Sequence, residues 1–360
     1  MIAADRAEQR PAQARLLVVD EHGGIEHAAR AKLAQFLRPG DLLVANDAAT
    51  LPASLHGVHA RSGRSIELRL AGRESLRVDA ATRFTAVLMG EGDWRLDTNA
   101  RPAPPAVEPG DALAFPGLRA RVLRVVAARI VEVDFECAAD VLWAALARHG
   151  RPVQYAHLRE PLALWDVWTP FAGAPLAFEP PSAGFAIDWA LLRALRERGI
   201  GFATLTHAAG LSATGDAALD ARLPLDEPYR IPASTALAIQ RARDSGARVV
   251  AVGTTVVRAL EHSAAVHGRA VAGEGLATQR IGALTRLRVV DALLSGTHEP
   301  GTSHHALLRA FVDERTLARV DDALERHAYR THEFGDSVLM HRDGRATPLT
   351  HSAERQAASA

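Results

Sequence analysis

Apolar and polar positions follow two different rhythms along the chain. LLVVD (Leu16 to Asp20) is an unbroken apolar run ending in an acid, which predicts a buried strand. Ile25, Ala28, Ala29, Leu33, Phe36 and Leu37 recur at helical spacing up to a stop at Pro39 and Gly40, which predicts a helix. DLLVAND (Asp41 to Asp47) predicts a second strand, so the chain opens as a βαβ unit. From about Leu51 to Glu136 the runs shorten and the period becomes two: Ile66, Leu68 and Leu70 alternate with Ser65, Glu67 and Arg69. That is a sheet with one wet face, and closure into a small antiparallel barrel removes its edges. RPAPPAVEPG (Arg101 to Gly110) is a proline-rich connection within it.

After Cys137 helical periodicity returns. Ala138 to Arg148 is amphipathic, Asp188 is placed to cap WALLRALRERG, and Gly199 ends that helix. IGFATLTH (Ile200 to His207) is a buried strand, and Pro232 opens the helix ASTALAIQRARDSG. RVVAVG and TTVVRALEHSA form the next strand and helix, and SHHALLRAFVD and RTLARVDDALERHA follow. The expected fold is an α/β domain interrupted by a small antiparallel β-barrel domain. Residues 1–50 and 138–345 form the discontinuous α/β domain carrying the ligand site, 51–137 the inserted barrel, and 346–360 a disordered tail.

Composition narrows the class. The 360 residues carry 42 acidic and 42 basic side chains, so no global field draws the chain to nucleic acid or an anionic membrane. Lys32 is the single lysine, and arginine supplies the rest of the positive charge. Cys137 is the single cysteine, which excludes an intrachain disulfide and fits a reducing cytoplasm. No apolar run has the length of a membrane span, and MIAADRAEQRPAQAR lacks a signal-peptide core. A cytoplasmic enzyme without a membrane partner is expected.

The strongest chemical signal is AVGTTVVRALE. An apolar strand ends at Gly253, and Thr254 and Thr255 then bring hydroxyls and free helix N–H groups to the strand's carboxyl end, where α/β ligands bind. Such a helix start suits a carboxylate or phosphate, and Arg258 lies one turn in. On pattern alone, threonines that merely cap the helix account for it equally well. The sequence is neither GxGxxG nor a Walker loop. EPPSAGFAID (Glu179 to Asp188) and LTHAAGLSATGD (Leu205 to Asp216) are further loops following strand-like segments, the second holding His207. SGTHEPGTSHH (Ser295 to His305) has three histidines but lacks the zinc-protease spacing, so no metal is expected and His298 is the better candidate for proton transfer. Asp336 follows a glycine in HEFGDS.

Taken together, these motifs resemble the S-adenosylmethionine:tRNA ribosyltransferase-isomerase family of queuosine biosynthesis, from about Arg15 to Met340. The residues carrying the resemblance are LRPGDLLVAND with LPASLHG, the PPSAG loop, Ile231-Pro232, RVVAVGTTVVRALE, VVDALLSGTHEPGTS and YRTHEFGDSVL. The resemblance implies an α/β fold interrupted by a small barrel. It implies S-adenosylmethionine as co-substrate, with no metal, and tRNA as partner. The ribosyl unit passes to the aminomethyl group of 7-aminomethyl-7-deazaguanine in tRNA and is isomerised to give epoxyqueuosine, with release of adenine and methionine. The sulfonium acidifies the adjacent ribose protons, so one modest base starts elimination, and the acceptor amine must be neutral to attack.

By position, Gly253, Thr254, Thr255 and Arg258 match the family's VGTT-x-VR motif. Ser182, Ala183 and Gly184 match its TAG loop, and Asn46 and Asp47 its strand-end pair. Tyr155 remains from a proline-rich motif, and His207 stands beside the place of a family histidine. The resemblance implies that these residues bind substrate, and that His298, Glu227 and Asp336 are the candidates for proton transfer. Ala49 and Ser54 stand where the family has arginines. That leaves two alternatives: a paralogue using S-adenosylmethionine or a related adenosyl compound with a non-tRNA acceptor, and a non-catalytic nucleotide- or RNA-binding protein.

Overall fold

The protein is described by a computed structural model that covers residues 1–77 and 82–343. The chain starts its main sheet with β1 (Arg15–Val19), β2 (Ile25–Ala29) and β3 (Leu42–Asn46). It then leaves for six strands: β4 (Ser54–His59), β5 (Ser65–Gly72), β6 (Arg83–Met89), β7 (Ala112–Phe115), β8 (Leu118–Val125) and β9 (Ile130–Phe135). These close antiparallel into a barrel of order β8-β9-β6-β5-β4-β7. Ile66, Leu68 and Leu70 are buried in its core, as the period-two pattern requires, with Phe84 and Phe135 edge-on at 6.0 Å. The other face of β5 is drier than the alternation implies: Glu67 and Arg69 are 2% and 1% exposed.

Helix α1 (Ala139–His149) leads out of the barrel, and α2 (Trp189–Glu197) is capped by the Asp188 carboxylate on the Leu191 N–H. The remaining main-sheet strands are β10 (Gly201–His207), β11 (Glu227–Ile231), β12 (Val249–Val252), β13 (Gly273–Ala277), β14 (Ala292–Gly296) and β15 (Ser337–His341). Between and after them come α3 (Ala233–Asp244), α4 (Thr254–His267), α5 (Ser303–Leu308) and α6 (Glu314–Arg326). The sheet order is β13-β11-β10-β3-β12-β14-β15-β1-β2, parallel from β10 through β14. Its central strand β12 is buried at all four positions, which accounts for an apolar run without alternation. The structure is the expected α/β fold with a closed antiparallel barrel.

One element differs from the expected βαβ opening. Ile25–Ala29 is a strand paired antiparallel with β1, and only Arg30–Phe36 coils, as a 3-10 helix. The apolar spacing that fits a helix also supplies Leu33, Ala34 and Leu37 to a core beneath the sheet, while the β1 edge needs a covering strand. The tail expected to be disordered, 346–360, lies outside the described residues. Among the described residues, no helix is long and apolar enough to cross a membrane.

Candidate active site

The carboxyl ends of β12 and β14 open into a cavity of about 310 Å³. Gly253 makes the turn out of β12 with φ 94° and ψ 153°, a backbone region that side chains rarely adopt. Its N–H donates to Leu294 O at 2.8 Å, which ties the turn to β14. No side chain caps α4: Gly253 is the N-cap residue, and the Thr254 and Thr255 hydroxyls are not spent on the helix start. The helix's first N–H groups therefore face the cavity with their partial positive charge. The loop Ser182–Ala186 coils as a 3-10 turn against it, so that a Cβ at Gly253 would lie 3.5 Å from Ala183 Cβ. The two glycine loops that sequence places 70 residues apart thus form one wall.

Most of the expected residues meet here. Ser182, Ala183, Glu227, Gly253, Thr254, Thr255, Arg258 and His298 all line the cavity. The His298 Nε2 is 2.8 Å from Ser295 Oγ, and its ring stacks on His304 at 4.7 Å. Burial, with His304 beside it, holds His298 well below the usual histidine range, so its imidazole is neutral at pH 7. Glu227 pairs with Arg258 and accepts the Gly210 N–H at 2.6 Å. Burial pushes the Glu227 carboxyl up, and Arg258 and that N–H pull it back. Arg258 also donates to Leu225 O at 3.0 Å and to Ala277 O at 2.8 Å. Its guanidinium is thus committed to the protein, and the start of α4 is left to face the cavity.

Other expected residues lie outside the cavity lining. Asp336 accepts from the Arg15 N–H at 2.7 Å and the Arg330 N–H at 2.9 Å, and pairs with the Arg15 guanidinium, joining β1 to the start of β15. Its carboxylate is occupied by this clasp. Asn46 bridges β3 to His207 by bonds to its O and N at 2.9 Å each, and Asp47 accepts from Thr204 and Thr206. His207 is fully buried behind Glu227, its Nε2 3.5 Å from Glu227 Oε2, and burial keeps it neutral. Gly184 is a packing residue, since a Cβ there would meet Thr169 Cγ2 at 3.0 Å. Tyr155 stands one layer back, with its hydroxyl donating to Glu179. Ser54 donates to Glu67 on the outer face of the barrel at 2.7 Å, and Ala49 is buried.

Sequence reasoning passed over Glu179, which lines the cavity. Besides Tyr155, the Ser212 N–H and hydroxyl donate to its Oε1, at 2.9 and 3.1 Å. Burial raises its carboxyl to about 7 against these bonds. The available signal was an acid set between the buried Phe178 and Pro180 where an apolar segment ends. Nearby, His157, His332 and Glu333 bring potential ligand atoms within 4.8 Å of one another. The two rings stack at 4.2 Å with planes 12° apart, so a cation between their nitrogens falls out of at least one ring plane.

Comparison with known proteins places the chain. A sequence profile described as "Queuosine biosynthesis protein" matches residues 1–340. The S-adenosylmethionine:tRNA ribosyltransferase-isomerase of Gloeobacter violaceus is 35% identical over 94% of this chain and 92% of its own length. That of Anaeromyxobacter sp. is 34% identical over 95% and 96%, and that of Thermus thermophilus 33% over 94% and 95%. The crystal structure of the S-adenosylmethionine tRNA ribosyltransferase from Thermotoga maritima covers 94% of this chain and 95% of that one, at 24% identity and a TM-score of 0.49. With a profile match over nearly its whole length and relatives above 30% identity, the chain belongs to the queuosine biosynthesis protein family.

Proposed function

We propose that this protein is an S-adenosylmethionine:tRNA ribosyltransferase-isomerase. It moves the ribosyl unit of S-adenosylmethionine onto the aminomethyl group of 7-aminomethyl-7-deazaguanine in tRNA, giving epoxyqueuosine, adenine and methionine. The observation that carries this reading is convergence: Ser182, Gly253, Thr254, Glu227 and His298, spread over more than a hundred residues, line one cavity. Its volume, about 310 Å³, is in the range of small-molecule sites. The start of α4 suits the methionine carboxylate. Glu227 lines the same cavity, with its charge held by Arg258. His298, neutral and anchored by Ser295, takes the proton made acidic by the sulfonium. In this reading the α/β part, 1–50 and 138–345, holds the donor, and the inserted part, 51–137, sits beside it.

The test is incubation with S-adenosylmethionine and tRNA carrying the aminomethyl precursor, followed by mass analysis of the nucleoside and of released adenine. Adenine together with a ribosyl-derived mass gain on the tRNA is the expected result. Adenine without a tRNA product would assign the chain a different acceptor. Donor binding without turnover would make it a non-catalytic binder.

A further inference from the structure

Glu179 has a feature that the donor-side roles do not use. Its three hydrogen bonds, from Tyr155 Oη, Ser212 N and Ser212 Oγ, all fall on Oε1. Among the described residues none falls on Oε2, and the side chain is half-buried on the cavity wall. The Tyr155 ring that positions it is itself backed by the Arg69 guanidinium at 5.7 Å. The oxygen is therefore held in place, open to the cavity and without a cationic partner, unlike Glu227, which is paired with Arg258.

We propose that Glu179 Oε2 is the proton acceptor for the acceptor's primary amine. This role rests on the functional reading above. The amine enters as an ammonium, which cannot attack because its lone pair is held in an N–H bond. That bond breaks, the proton forms an O–H bond on Oε2, and the nitrogen keeps the pair, leaving the neutral amine that the transfer consumes. The proton leaves to water at the end of the turnover. A carboxyl raised to about 7 by burial accepts this proton and returns it readily at neutral pH. The charge of Glu333 favours the protonated form further, while the Tyr155 and Ser212 bonds favour the carboxylate. His298 remains the base for the donor, so the two proton transfers fall to two groups on different parts of the wall.

The experiment measures adenine release and transfer to precursor tRNA separately, from pH 6 to 9, in wild type and Glu179→Gln, with S-adenosylmethionine affinity by calorimetry. In the variant, donor affinity stays within about threefold, and transfer at pH 7 falls about 100-fold. Transfer then climbs about tenfold per pH unit as the amine, with an intrinsic pKa near 10, deprotonates by itself. Wild-type transfer levels off above neutrality. A variant that transfers like wild type, or that loses transfer equally at every pH, overturns the proposal. So does a loss confined to donor affinity, which would assign Oε2 to the methionine ammonium. Should Glu179→Gln fail to fold, Tyr155→Phe decides: removing a donor to Oε1 raises the carboxyl further and shifts the transfer plateau to higher pH, and an unshifted plateau overturns the role. Wild-type protein that releases no adenine overturns the functional reading and this role together, whereas failure in the variants alone leaves that reading standing.

Discussion

Two carboxylates, one on the barrel and one on the cavity wall, show how the same side chain is turned to opposite ends. Glu67 lies buried on the outer face of barrel strand β5, bonded to Arg69 Nε at 2.7 Å and Ser54 Oγ at 2.7 Å and paired with Arg101. Burial disfavours its charge, but the two guanidiniums hold it down at about 2. Glu179 is half-buried on the cavity wall, its partners are a phenol, a hydroxyl and a backbone N–H, and it rises to about 7. A buried carboxylate with cations for neighbours is a fixed charge, whereas a half-buried one with neutral donors exchanges a proton in the physiological range. Arg69 sits between the two, bonded to Glu67 and lying over the Tyr155 ring.

The comparison breaks first at Glu67. Glu67→Ala leaves Arg69 and Arg101 buried without a counter-charge and lowers folding stability by about 3–5 kcal/mol, read from urea unfolding. A stability change below 1 kcal/mol would show the cluster to be hydrated rather than fixed. The next effect is on chemistry alone: His298→Ala slows adenine release by about 100-fold or more, with the unfolding midpoint nearly unchanged. Equal rates in the two proteins would remove His298 from the proton path. At the turn into α4, Gly253→Ala meets ordinary space but a forbidden backbone, and costs about 1–3 kcal/mol together with weaker donor binding. Calorimetry of donor binding and a melting curve separate the two parts.

The smallest effect is in the pH dependence, and its sign differs between the two carboxylates. Glu67 is lowered from 4.5 to about 2, so its contribution is present above 4.5 and is lost as pH falls toward 2. Glu179 is raised from 4.5 to about 7, so its contribution is present below 4.5 and is lost as pH rises through 7. Glu179→Gln therefore flattens the decline in stability between pH 4.5 and 7 and leaves the acid limb in place. A variant whose melting temperature tracks wild type across pH 4.5–7 would show that Glu179 keeps its ordinary acidity.

The legible parts were those whose cause is local. RVVAVGTT carries an uninterrupted apolar strand, a glycine and two hydroxyl residues in consecutive positions, and its geometry follows from them. The alternation of Ile66, Leu68 and Leu70 likewise led to the barrel. Ile25 to Leu37 misled because the spacing that fits a helix also fits an edge strand followed by a tight coil. Asp336 looked like a poised acid because its partner Arg15 is 321 residues away. Glu179 was passed over for the same reason: Tyr155 and Ser212, which shape its chemistry, come from 24 residues before and 33 after. The resemblance located the cavity wall, but it did not separate residues that face the ligand from those that hold the strands.

The Asp336 clasp has a consequence for the order in which the molecule is made. Strand β15 lies between β14 and β1, so β1 and β2 join the main sheet only through a strand near the end of the described chain. Synthesis delivers the β1–β2 hairpin first and its attachment point last, after the barrel and the helices have emerged. The ladder between Leu16 and Ser337 is a long loop closure and belongs to the slow part of assembly. Until β15 emerges, one edge of β1 and one edge of β14 are both unpaired. A ribosome-bound chain therefore passes through a stage with two open sheet edges, and the Arg15–Asp336 pair forms only when that stage ends.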